Sequence, residues 1–146
     1  MARRIGILLI VLITTVSFLY VAYAQMAEKG WEKTVTLPSG EVILDMSGEW
    51  DSLYEFYGIL SYLKPVTDIL TITQEGNTFT AVKQIGSEYV PKGAETIKGI
   101  MDKDGFKEVQ IYRMEVWAPC TCEISENGNK IVVSDGRVIQ GTLTRK

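Results

Sequence analysis

Apolar and polar residues alternate along most of this chain, and the alternation predicts an all-β fold. The expected form is an antiparallel up-and-down β-barrel of about eight strands, preceded by an N-terminal signal helix. Three observations carry that expectation. Beyond residue 30, runs rich in Val, Ile, Thr, Tyr and Phe follow a period of two, the mark of half-buried strands. Turn signals separate the runs: Pro38-Ser39-Gly40, Glu75-Gly76-Asn77, Asp104-Gly105, Asn127-Gly128 and Asp135-Gly136. Asn-Gly and Asp-Gly favour tight hairpins, because type I′ turns need positive φ at both central residues. Finally, no segment carries a sustained apolar stripe at helical spacing.

The first element is the signal segment, residues 1–24. Arg3 and Arg4 precede an apolar run from Ile5 to Ala24 that closes on Ala22-Tyr23-Ala24. A positive start, an apolar middle and small residues before the cut are the parts of a secretory signal peptide. Cleavage would make Gln25 the mature N-terminus. The other reading is a retained anchor, since about 20 apolar residues can span a bilayer. No basic stop-transfer cluster follows the run, which favours cleavage. Residue 25 is Gln and not Cys, so no thiol stands where a lipoprotein would be acylated. Both readings place residues 25–146 outside the cytoplasm, in the periplasm or medium, and the only expected membrane contact is an uncleaved signal.

Removing 24 residues from 146 leaves 122, enough for one domain with its own core. Two of the fifteen basic residues leave with the signal, so thirteen face eighteen acidic ones, a net charge of −5. That balance, with no clustered basic face, argues against nucleic acid as a partner. The chain has no histidine, which excludes Ser-His-Asp and Cys-His catalysis and imidazole-bound metal. No dinucleotide, phosphate or nucleophile-elbow motif is present. The expectation is a protein without enzymatic activity, cofactor or metal.

The elements read in order as a leading hairpin at 33–37 and 41–46, then strands at 48–57, 67–75, 77–85, 94–102, 106–117, 119–126, 129–134 and 137–145. The stretch 58–66 reads as a loop with room for one helical turn, and 86–93, with Pro91 and Gly93, as a second long connection. Eight sequential antiparallel strands leave two open edges unless the sheet closes. An open sandwich is the alternative. At eight strands the interior either fills with side chains or holds one small ligand.

Gly48-Glu49-Trp50 opens the first barrel strand and Leu143-Thr144-Arg145-Lys146 ends the last. This pairing resembles the calycin group of lipocalins, fatty-acid-binding proteins and avidins. The resemblance implies a lipocalin-like barrel with Trp50 across its floor and Arg145 stacked on the indole, although Trp50 also reads as ordinary core. A second resemblance spans roughly residues 34–146. The phrases LPSGEVILDMSGEWD, ITQEGNTF, KGAETIKG, DGFKEV, ISENGNKI and LTRK look like a group of small secreted bacterial proteins of unassigned function. It implies export and β architecture, and supplies no substrate.

Trp50, Tyr54 and Phe56 share parity on the first barrel strand, with Tyr112 and Trp117 on the fifth. Either these aromatics fill the core or they wall a pocket; in the second case the ligand contacts are Trp50, Tyr54, Tyr112 and Trp117. Arg113 is opposite in parity to Tyr112, so only one of them faces inward unless a bulge intervenes. Asp45, Glu49, Asp51 and Glu55 read as a solvated face. Lys98 reads as an outward lysine, or else as an inward cation toward an anionic ligand. Cys120 and Cys122 sit at i and i+2, on a strand read as starting at Pro119. They admit three readings: inward thiols, a strained disulfide, or a soft-metal or redox pair. The function that follows is non-covalent binding of a small apolar molecule. The alternative is a structural or interaction module with a filled core.

Overall fold

The computed structural model describes residues 29–113 and 115–146. The signal segment, and with it the cleavage site, lies outside the described residues. Among them no helix is long and apolar enough to cross a membrane.

A short hairpin comes first, β1 (Thr34–Thr36) with β2 (Val42–Leu44). Eight strands then follow: β3 (Gly48–Phe56), β4 (Val66–Glu75), β5 (Thr78–Lys83), β6 (Glu95–Asp102), β7 (Gly105–Arg113), β8 (Val116–Ile124), β9 (Lys130–Ser134) and β10 (Ile139–Arg145). All pair antiparallel with their chain neighbours, and β10 pairs with β3 to close the barrel. A single 3-10 turn, Gly58–Leu60, lies in the β3–β4 connection. Closure removes the exposed edges that an open sheet would present.

Alternation assigns the inward face residue by residue. Trp50, Ser52 and Tyr54 are buried on β3, while Glu49, Asp51 and Leu53 are exposed. Leu70 and Ile72, Ala81, Ile97 and Met101, Ile111, Ile131 and Leu143 meet at one end of the barrel as a dry core. Burying a side chain of this kind contributes about 1.5–3 kcal/mol. The β1–β2 hairpin lies across the same end, with Val42, Ile43 and Leu44 all buried. Trp31 packs under it; a Cβ on Gly128 would meet Leu44 at 2.6 Å and Trp31 at 3.3 Å. That end is closed.

Two departures from the sequence reading matter for the site. The turn expected after residue 117 comes earlier, between Arg113 and Val116, which pair as neighbouring strand ends, so Val116 and Trp117 belong to β8. The turn has no Gly, Asn or Pro to signal it, and Glu115 adopts the left-handed conformation at φ 65°, uncommon outside Gly, Asn and Asp. Pro119 consequently sits inside β8 instead of at its start. It is tolerated because β8 pairs with β9 only from Thr121 to Ile124, so no ladder on that side needs its missing N–H. The second departure is a bulge. Pairing steps from Ala81↔Ile97 to Val82↔Glu95, which leaves Thr96 as the extra residue. Thr96 and Ile97 are both buried in consequence, as expected when a bulge re-aims a side chain.

Candidate functional site

The other end of the barrel is open. A cavity of about 250 Å³ lies there among Tyr54, Phe56, Leu60, Leu63, Val66, Val90, Tyr112 and Ile139, with Lys83, Thr96 and Arg113 also on its wall. The long connections after β3 and β5 shape its mouth, and Tyr89 of the second packs edge-on against Phe56 at 6.1 Å. Two exposed aromatic side chains, Tyr62 and Tyr89, stand among the lining residues. A broader concavity of about 580 Å³ lies on the flank, among Thr80, Lys98, Lys107, Gln110 and Pro119.

Between cavity and core lies a buried polar layer. Asp68 is 2% exposed and Lys83 3%, and the Lys83 Nζ sits 3.2 Å from Asp68 Oδ2. The carboxylate is held further by backbone donors: Ile69 N–H at 2.7 Å and Ile85 N–H at 3.0 Å on Oδ1, and Gly86 N–H at 2.8 Å on Oδ2. Burial alone would raise the Asp68 pKa, but the Ile85 and Gly86 donors and the Lys83 ammonium together hold it below the ordinary carboxylate value. The network fixes the start of the β5–β6 connection to β4. Breaking such a pair is costly, because the surviving charge stays buried.

A second pair stands at the rim. Arg113 Nε lies 2.7 Å from Asp135 Oδ2, and Asp135 Oδ1 accepts the N–H groups of Arg137, Val138 and Ile139. Burial opposes ionisation here too, and these donors with Arg113 outweigh it, so the Asp135 pKa is lowered. Tyr54 is 3% exposed, and its buried hydroxyl lies beside those of Thr96 and Ser52 without a well-formed hydrogen bond to either. Desolvation pushes its pKa up, so the phenol stays protonated and able to donate. The Lys83 ammonium lies 4.9 Å from the centre of the Tyr54 ring.

Of the four aromatic ligand contacts expected from sequence, the structure brings two together. Tyr54 and Tyr112 line the cavity. Trp50 does not line it; fully buried at the closed end, its indole N–H donates to the Met46 carbonyl at 2.9 Å. Trp117 does not line it either. As the register partner of Tyr112 it packs edge-on against that ring at 5.5 Å, with the Lys98 ammonium 4.2 Å from its own ring centre. The reason is parity: Ala118 and not Trp117 carries β8 into the core. Arg113 and Tyr112 both reach the cavity wall, because they stand at the end of β7 where the wall gives way to the rim.

Cys120 and Cys122 are free thiols, both half-buried against the core. As a hydrogen-bonded pair they split: accepting a bond from Cys122 lowers the Cys120 pKa, while the same bond and burial push Cys122 up. Among the described residues no group of three or more His, Cys, Asp or Glu side chains could hold a metal ion. Glu49 and Asp51 are exposed on the outer face of β3.

The sequence reading missed Lys83, Asp68 and Thr96. For the first two a signal existed. Phe79, Ala81 and Lys83 share one parity, as do Asp68, Leu70 and Ile72, so carrying the alternation one step further puts a charge inward on each strand. Thr96 had none, because its orientation depends on the bulge.

No protein-family model matches the chain, and no match was found among curated proteins or solved structures.

Proposed function

We propose that this is an exported, lipocalin-like barrel whose open end binds one small, largely apolar molecule without chemical change. The observation that carries the reading is the cavity of about 250 Å³ walled by Phe56, Leu60, Leu63, Val66, Val90 and Ile139. Pockets of this make-up, mostly apolar with a few placed polar groups, are typical small-molecule sites. An apolar cavity of about 150 Å³ is enough for benzene, so the space suits a short chain or a single ring. The exposed rings of Tyr62 and Tyr89 offer such a ligand a surface to enter across. Export rests on Arg3, Arg4, the apolar run and Ala22-Tyr23-Ala24. The lipocalin-like description rests on the closed eight-strand meander with Trp50 at its closed end.

The second reading is a structural or interaction module without a ligand. The packed lower barrel, from Leu70 to Leu143, favours it. Calorimetric titration of the folded protein with medium-chain alcohols and alkylbenzenes separates the two. Binding that disappears in Ile139→Trp, which fills the cavity, supports the ligand reading. Absence of binding and of any thermal shift across the series supports the filled module.

A further inference from the structure

We propose that the molecule held at the open end is an apolar carboxylate, its head group seated on Lys83, Tyr54 and Arg113. This rests on the ligand-binding reading above and names the chemistry of that ligand.

The wall of the cavity is rich in donors and poor in free acceptors. Asp68 already receives three backbone N–H groups and the Lys83 ammonium across its two oxygens. Asp135 takes three backbone N–H groups on one oxygen and faces Arg113 with the other. With its acid satisfied by the backbone, each cation keeps donors beyond that single contact. An ammonium has three and a guanidinium five. The Tyr54 hydroxyl, in a residue 3% exposed, adds a buried donor that lies beside the Thr96 and Ser52 hydroxyls without a well-formed hydrogen bond to either. Leaving such a group unpaired costs about 1–3 kcal/mol, a cost that a head group able to accept its hydrogen bond would remove. The bulge brings the Thr96 hydroxyl to the same wall.

The charge balance narrows the head group. Asp68 and Asp135 each offset one cation, so the wall offers directed donors more than net positive charge. That suits a singly charged carboxylate better than a dianion. An ammonium ligand would meet Lys83 and Arg113, and the carboxylate among the described lining residues is Glu115, which is exposed. A neutral oxygen, as in an alcohol, would accept from the same donors but with fewer lone pairs and no charge to set against the cations. Charge-assisted hydrogen bonds are about twice as strong as neutral ones.

Calorimetric titration with octanoate, 1-octanol and octylamine tests the assignment at constant chain length. Octanoate is expected to bind at least about tenfold more tightly than either of the others, the ratio equivalent to about 1.4 kcal/mol. Tyr54→Phe and Arg113→Gln leave the buried Lys83–Asp68 pair intact. Each should cut octanoate affinity by about fivefold or more while leaving octanol unchanged, as expected for the loss of one hydrogen bond to a charged group. Equal binding of octanoate and octanol, or tightest binding of octylamine, overturns the carboxylate and leaves the apolar site standing. Failure of all three to bind overturns both. A preference for octanoate that survives both substitutions places recognition elsewhere and overturns the role of this wall.

Discussion

The guanidinium of Arg145 lies 4.3 Å from the centre of the Trp50 indole. It also donates to the backbone carbonyls of Asp45 and Ser47. The end of the last strand thus lies over the start of the first, with the ring sealed between the cation and the dry core. Trp50→Ala should cost about 3–5 kcal/mol in urea unfolding and increase ANS binding. Arg145→Ala, which removes a cation–π contact and two hydrogen bonds, should cost about 1–3 kcal/mol. A loss below about 1 kcal/mol for Trp50→Ala would remove the indole from the closure of this end.

The Lys83–Asp68 pair makes stability depend on acid. Because Asp68 has a lower pKa folded than unfolded, it contributes stability above the ordinary carboxylate value near 4. That contribution is lost as pH falls through the lower folded value. Asp135 acts in the same direction. Urea midpoints should therefore fall from pH 5 to pH 2.5. Asp68→Asn, which strands the buried ammonium, should cost about 3–5 kcal/mol at pH 7, with the gap to wild type narrowing at low pH. A gap independent of pH would exclude the ionised pair as its source.

Gly141 lets the Tyr54 ring lie against β10. A Cβ there would meet Tyr54 Cε1 and Val133 Cγ2, each at 2.9 Å. Gly141→Ala should cost about 1–3 kcal/mol by overpacking and, by shifting Tyr54, weaken octanoate binding as well. Unchanged stability and unchanged affinity would show that the ring has room to move.

The two thiols should matter little to global stability. A Cys120–Cys122 bridge would close a very short loop, and the stabilisation from cross-linking grows with loop length. Cys122→Ser should unfold within about 1 kcal/mol of wild type, and oxidised and reduced protein should melt at nearly the same temperature. A loss above about 3 kcal/mol in either comparison would assign the pair a structural or redox task.

The barrel was legible because its evidence is local. Gly76, Gly105, Gly128 and Gly136 all adopt positive φ in turns that the sequence marks, and alternation such as Trp50-Ser52-Tyr54 states which face is wet. The β7–β8 turn was hidden because Glu115 takes a conformation its chemistry does not advertise. At the site, Tyr54 and Tyr112 were found as aromatics, but residue type alone could not separate them from Trp50 and Trp117. Trp50 is set apart by which end of the barrel is plugged, a matter of where the β1–β2 hairpin folds, and Trp117 by the inward face of β8 falling on Ala118. Lys83 and Asp68 were passed over because charge in a strand is ordinarily read as solvent-facing.

The seam between β10 and β3 has a further consequence, for the order in which the molecule assembles. Each other junction in the wall joins strands adjacent in sequence and can form as a local hairpin. The seam pairs Arg145 with Trp50 and Ile139 with Phe56, across nearly the whole domain, and long closures are entropically the most demanding. Until β10 arrives, β3 presents an unpaired edge, the kind of surface that recruits other chains. Slow closure would therefore show itself as aggregation of the nascent sheet, and strengthening the seam at Arg145 would shorten that exposure.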